Sequence, residues 1–187
     1  MTALMWAAKE EYPPYRNTAK FLELGADADA QDLDGNTALI WAVSQDRRLR
    51  DKGPLVSLLM DGGADPNIRN HKSMAPLLLA ARHKEGTRVL TVLAERGANL
   101  DLRTDKQLTA LMYAASNGRR DNVQVLVDRG ADIDAQSAYG QTALHYAASS
   151  GDREMATLLM NRGADTCIRN QRRQTAHELA YDNGLAG

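Results

Sequence analysis

Four histidines and one cysteine have the widest chemical reach in this sequence: His71, His83, His145, His177 and Cys167. A zinc site needs several such ligands at short, fixed spacings. Neither H-E-x-x-H nor C-x-x-C nor a comparable pattern occurs. Cys167 has no histidine beside it in sequence and follows a Gly-Ala-Asp turn, so a buried, inert thiol is expected. Paired-acid chemistry requires two carboxylates at a defined separation. Asp27, Asp65, Asp132 and Asp165 instead recur at one place in a regular array, which predicts groups that cap backbone N–H. No G-x-G-x-x-G or G-x-x-x-x-G-K-[ST] phrase offers a phosphate cradle. With no convergent groups, no catalytic residue, no metal site and no cofactor are expected, and the chain is read as a non-enzyme.

Composition narrows the class further. The 187 residues are 43% hydrophobic and 25% charged, an ordinary globular balance. A formal net charge of −1 supplies no global field to attract nucleic acid or an anionic membrane. The single cysteine excludes an internal disulfide framework and suits a reducing compartment, so a cytoplasmic setting is expected. No apolar run approaches the roughly 18–20 residues that span a bilayer.

The elements that would position any site come from internal repetition. TALMWAA at 2–8 returns as TALIWAV at 37–43, TALMYAA at 109–115 and TALHYAA at 142–148. A second phrase keeps step: LELGADADAQ, MDGGADPNIR, AERGANLDLR, VDRGADIDAQ and MNRGADTCIR. Its glycines, Gly25, Gly63, Gly97, Gly130 and Gly163, are spaced by 38, 34, 33 and 33 residues. Such a period marks stacked supersecondary units. Thr37, Thr109, Thr142 and Thr175 each precede a short apolar stretch and can cap a first helix. Ala42, Ala80, Ala114 and Ala147 let neighbouring helices approach closely. A second helix follows, with apolar runs such as AKFLEL, VLTVLA, VQVLV and MATLLM, and ends at the glycine, which suits the left-handed position there. The polar stretch after it reads as an extended hairpin to the next Thr.

These phrases resemble the ankyrin repeat family across essentially the whole chain. T-P-L-H-x-A-A appears as T-A-L-φ-aromatic-A-A, and G-A-D-φ-N recurs five times. The resemblance implies an all-α solenoid of stacked helix-turn-helix units joined by β-hairpin loops. A single repeat domain over 1–187 is expected, with units at about 1–35, 36–73, 74–107, 108–140 and 141–173, then a terminal partial repeat at 174–187. Both ends read as incomplete units, the first without its hairpin and the last without its second helix. Ala75-Pro76 keeps the family proline and loses the threonine cap, and the family histidine survives only as His145. His177 stands in a column otherwise filled by leucine, so the last helix is expected to have a wetter outer face. Insertions at 9–17 and 44–54, the second with Arg47, Arg48, Arg50 and Lys52, are expected to be solvated loops. The aromatic column Trp6, Trp41, Leu79, Tyr113 and Tyr146 is expected to pack along the stack.

A solenoid buries its constant positions and exposes its variable ones. In the family, hairpin tips and exposed first-helix positions form a concave surface that grips another protein. By register, that surface here would hold Leu33, Asp34 and Asn36, with Ser44 and Gln45; then His71, Lys72, Met74, Arg82 and His83; then Asp105, Lys106, Leu108 and Asn117, with Ser116. Tyr139 and Gln141 follow, with Ala138, Ser149 and Ser150, and then Gln171 and Arg172, with Gln174 and Asn183. Leu33, Met74, Leu108 and Tyr139 are apolar where solubility favours polar residues, a row that hints at an interface. The first hairpin carries Asp27, Asp29, Asp32 and Asp34, and the last carries Arg169, Arg172 and Arg173, a gradient that would orient an extended partner. The expected function is a protein-binding module, monomeric when unbound, with a protein rather than nucleic acid as partner. The alternative is a phosphorylated or nucleic-acid ligand held by the C-terminal basic hairpin.

Overall fold

A computed structural model describes residues 1–10, 15–44 and 52–182. Gln45, Asn183 and the arginines at 47, 48 and 50 lie outside the described residues. Those that are described contain eleven α-helices and no strands, in two rows. The first-helix row is α1 (Ala3–Glu10), α3 (Ala38–Val43), α5 (Pro76–Arg82), α7 (Ala110–Ser116), α9 (Ala143–Ser149) and α11 (Ala176–Asp182). The second row is α2 (Arg16–Glu23), α4 (Gly53–Asp61), α6 (Thr87–Glu95), α8 (Arg120–Asp128) and α10 (Arg153–Asn161). Each first helix packs on the first helix of the next unit and, from α1 to α9, on its own second helix. No helix among the described residues is long and apolar enough to cross a membrane.

The first helices start where a hydroxyl can satisfy the N–H groups that an α-helix leaves orphaned. Thr2, Thr37, Thr109 and Thr175 accept from the backbone N–H three residues on, at 3.2–3.4 Å. Ala75 makes no such bond, and Pro76 at the first helical position removes one donor instead. Ala42, Ala80, Ala114 and Ala147 are fully buried, which is what lets the first-helix row close up. Beneath them, Leu55, Leu59, Leu90, Leu93, Leu126 and Leu159 of the second row fill the core. The glycine after each second helix takes the left-handed conformation, Gly97 and Gly130 at φ +88° for example, where a side chain would be strained.

Polar ladders tie each turn to the next. Arg96 pairs with Asp61 at 2.5 Å, Arg129 with Glu95 at 2.6 Å, and Arg162 with Asp128. Asp29, Asn67, Asp101 and Asp134 accept from the backbone N–H of Asp65, Asn99, Asp132 and Asp165 at 2.7–2.9 Å. Asp27, Asp65, Asp132 and Asp165 themselves accept from the N–H two residues on at 2.8–3.1 Å, the capping role read from the sequence. Further out, Gln31, Arg69, Arg103 and Gln136 each donate to the carbonyl of the matching residue in the following unit.

Several expectations change here: within 9–17, expected to be a solvated loop, Lys9 and Glu10 belong to α1, Arg16 and Asn17 to α2, and Tyr15 is buried. Lys52, expected to share a solvated loop with the arginines at 47, 48 and 50, is buried: its ammonium donates to the Ala8 carbonyl at 3.0 Å and lies 5.8 Å from the Tyr15 ring centroid. The carbonyl end of α1 offers it partial negative charge. Cys167 is exposed, with no turn of a following unit over it among the described residues. Trp6 is 56% exposed rather than packed, with no first helix before α1 among the described residues, while Trp41, Leu79 and Tyr113 pack against the core.

Candidate functional site

The loops that join one unit to the next share one construction. Their first residues, Asp32, Asn70, Thr104, Ser137 and Asn170, donate backbone N–H to the carbonyl four residues on at 2.9–3.1 Å. Each side chain in that column then accepts from the N–H four residues on, at 2.9–3.3 Å. The loop is therefore closed on both sides by its own first residue, the local device by which Asx and Ser/Thr residues replace ladder hydrogen bonds. Sequence reading passed over this column, although its signal was present: every member is Asp, Asn, Ser or Thr, five residues before the helix cap.

Neighbouring loops are hydrogen-bonded to each other. The N–H of His71 donates to Asp34, that of Ala138 to Lys106 and that of Gln171 to Tyr139, at 2.9–3.0 Å. Between the second and third loops, the Ser73 hydroxyl donates to the Asp105 carboxylate. The tips thus form one bonded edge, and side chains on it project from a held backbone. The fourth loop position is left-handed in all five copies: Gly35, Ser73, Gln107, Gly140 and Arg173 have φ between +57° and +77°.

On this frame Leu33, Asp34, His71, Lys72, Asp105, Lys106, Tyr139, Gln171 and Arg172 are exposed. Asn36, Leu108, Gln141 and His83 are half-buried, and Arg82 and Asn117 are exposed at the ends of α5 and α7. Leu33 is 97% exposed and Tyr139 54%. Met74 departs from the expected apolar row: it is only 8% exposed, and the Tyr113 hydroxyl donates to its sulfur at 3.8 Å. Its long, flexible thioether fills the gap beneath that ring. The aromatic column also braces the loops. The Trp41 indole N–H donates to Asp32 at 2.8 Å, and the Lys9 ammonium lies 4.9 Å from the Trp41 ring centroid. Burial tends to raise the Asp32 carboxyl, but hydrogen bonds from Asn36, Trp41 and Asp34 outweigh it and hold the group below the usual carboxylate range.

The expected charge gradient is reduced. Asp29 and Asp32 are spent on backbone N–H groups, and Arg169 is bonded to the Arg173 carbonyl and to Glu178. Asp34 at one end and Arg172 at the other remain without a side-chain partner among the described residues. The four histidines do not converge. His71 sits on a tip, His83 ends α5, His145 is buried in α9 and His177 is exposed on α11. Among the described residues no group of three or more His, Cys, Asp or Glu side chains is placed to hold a metal ion.

Comparison with known proteins agrees with this geometry. A family model described as ankyrin repeats (3 copies) matches residues 4–103 and 48–137, and one described as ankyrin repeats (many copies) matches 118–160. The curated protein lin-12 of Caenorhabditis elegans is 34% identical over 130 residues, 65% of this chain and 9% of that protein. The chain thus spans under a tenth of that relative's length. The crystal structure of EF0377, an ankyrin repeat protein, superposes with a TM-score of 0.86 at 30% identity, covering 98% of this chain and 92% of that one.

Proposed function

Because the chain belongs to the ankyrin repeat family, whose members are generally non-catalytic protein–protein interaction modules, we propose that it binds a partner protein along its bonded edge of loop tips and the adjoining first helices. The observation that carries this reading is the pair Leu33 and Tyr139, large apolar side chains in solvent at loop tips. The scaffold makes no use of them, and exposed aromatic and aliphatic groups on a held backbone are the usual anchors of an interface. The partner-facing set is Leu33, Asp34, Asn36, His71, Lys72, Arg82, His83, Asp105, Lys106, Leu108, Asn117, Tyr139, Gln141, Gln171 and Arg172, with Met74 supporting from beneath. The repeats act as one domain, without catalysis, as a monomer until the partner binds, in the cytoplasm. The test is affinity capture with the wild-type chain and with Leu33→Ala/Tyr139→Ala. Loss of the captured protein at unchanged thermal stability supports the reading; undiminished capture refutes it.

A further inference from the structure

Some cations of this chain are tied to partners and others, among the described residues, are not, the untied ones including Arg16, Lys84 and Arg88 at the second helices. Arg96, Arg129, Arg162, Arg120 and Arg169 are paired with carboxylates, and Arg69, Arg103 and Arg119 donate to backbone carbonyls. These sit on the second-helix and turn sides and hold successive units together. Lys72, Lys106, Arg172 and Arg173 lie on the loop tips, and none of their side-chain cations has a hydrogen-bond or ion-pair partner among the described residues. Two exposed carboxylates share the tips: Asp34 in the first loop, and Asp105, which accepts from Ser73 and keeps its charge beside Lys106. From the second loop to the last, Lys72, Lys106, Arg172 and Arg173 face one tip carboxylate, Asp105, so this stretch is locally positive, whereas Asp32 and Asp34 make the first loop acidic.

A small cavity lies at the end of that stretch, between the last two loops, lined by Tyr139, Gln141, Gln171, Arg172, Gln174 and the otherwise buried Leu179. Gln171 donates to the Ala138 carbonyl and Gln174 to Asp182. The Tyr139 hydroxyl, the Gln141 carboxamide and the Arg172 guanidinium remain unbonded around it among the described residues. A planar guanidinium takes a carboxylate in a two-pronged hydrogen bond. The Tyr139 ring and Leu179 offer apolar surface to the methylenes that carry such a carboxylate.

Resting on the reading of this edge as a protein-binding surface, we infer that its occupant is an extended acidic peptide segment. One carboxylate enters the Tyr139–Gln141–Arg172 cavity, and further carboxylates lie over Lys106 and Lys72. Charge complementarity commits the choice, because a neutral or basic segment would leave four cations facing no partner or facing repulsion.

The test uses residues 1–187 as bait for a displayed library of random 12-residue peptides, followed by fluorescence anisotropy with the recovered peptides. Recovery of Asp- and Glu-rich sequences is expected. Their affinity should drop about tenfold for Arg172→Gln and for Lys106→Gln and fall with rising salt, while Lys20→Gln leaves it unchanged. Circular dichroism checks that each variant stays folded, which is expected because neither side chain has a structural partner. Neutral or basic peptides that depend on Leu33 and Tyr139 would overturn this inference and leave the proposed function standing. Peptides indifferent to every loop-tip substitution, or none recovered, would count against both. A 20-nucleotide oligo-dT that binds more tightly than the recovered peptides, with the same Arg172 dependence, would assign the surface to nucleic acid and overturn the inference.

Discussion

His145 Nε2 lies 3.1 Å from the Gln174 carbonyl, linking the buried face of α9 to the loop that precedes α11. A carbonyl can only accept, so Nε2 carries the proton, and Nδ1 accepts from the Thr142 N–H at 3.3 Å and its hydroxyl at 3.0 Å. One ring therefore closes both the cap of its own helix and the contact to the terminal unit.

Acidification should loosen that link. Burial depresses the His145 pKa, only partly offset by the bond to Gln174, so the folded chain keeps the ring neutral while the unfolded chain protonates near 6.5. The unfolded state then binds more protons, and stability is lost as pH falls from about 6.5 toward the lower folded value. Urea midpoints at pH 7.5 and 5.5 should separate more for wild type than for His145→Gln. Equal separations would refute the assignment.

The helix caps give a matched pair of tests. Thr109→Ala removes the acceptor for the Met112 N–H and should cost about 1 kcal/mol. Ala75 has φ −94° and ψ 162°, nearly the backbone of Thr109 at −94° and 168°. Ala75→Thr should therefore restore the missing cap and gain roughly 0.5–1 kcal/mol, read as an increase in denaturant midpoint at constant slope.

The fourth loop position predicts opposite signs for opposite substitutions. Gln107 sits at φ +57°, where a Cβ is disfavoured by about 1 kcal/mol, so Gln107→Gly should stabilise the chain. Gly140 has φ +71°, and a Cβ there would lie 3.0 Å from the Gln171 backbone nitrogen and 3.1 Å from the Asn170 Cα. Gly140→Ala should destabilise by more than the Gln107 change gains, since the atoms it meets are backbone and cannot swing away. Thermal melting of both variants reads the two signs directly.

The repeat made most of the fold legible in the sequence, because threonine caps, alanine columns and terminal glycines act locally and announce themselves at a fixed period. Features set by the neighbouring unit were less visible. The apolar letters of Met74 and Leu33 look alike in a string, yet Tyr113 of the next unit covers one and nothing covers the other. Lys52 looked like part of a solvated basic loop until the end of α1 supplied its acceptor. The arginine ladder begins only at Arg96; the matching earlier position is Gly62, where a Cβ would lie 2.7 Å from the Leu22 side chain. The loop-tip surface followed from register, but which of its cations were free depended on the pairing of all the others.

Asn122 offers the sharpest stability prediction, because a polar residue there escaped the apolar run read for α8. It is buried, and its carboxamide nitrogen donates to the carbonyls of Ala81 at 2.9 Å and His83 at 3.1 Å, with Ala80 at 3.4 Å. Its oxygen accepts from the Thr87 hydroxyl at 2.7 Å, so one side chain ties α8 to the end of α5 and the start of α6. Asn122→Leu keeps the branching and suits a buried column, yet it takes the donor from the Ala81 carbonyl, whereas the carbonyls of Ala80 and His83 keep the N–H groups of His83 and Gly86. An unsatisfied buried polar group costs about 1–3 kcal/mol. We expect the variant to lose about 1–3 kcal/mol in urea unfolding and to raise amide exchange in α5, α6 and α8 before the terminal helices. A change below 0.5 kcal/mol would mean that water replaces the carboxamide and that Asn122 is not a structural tie.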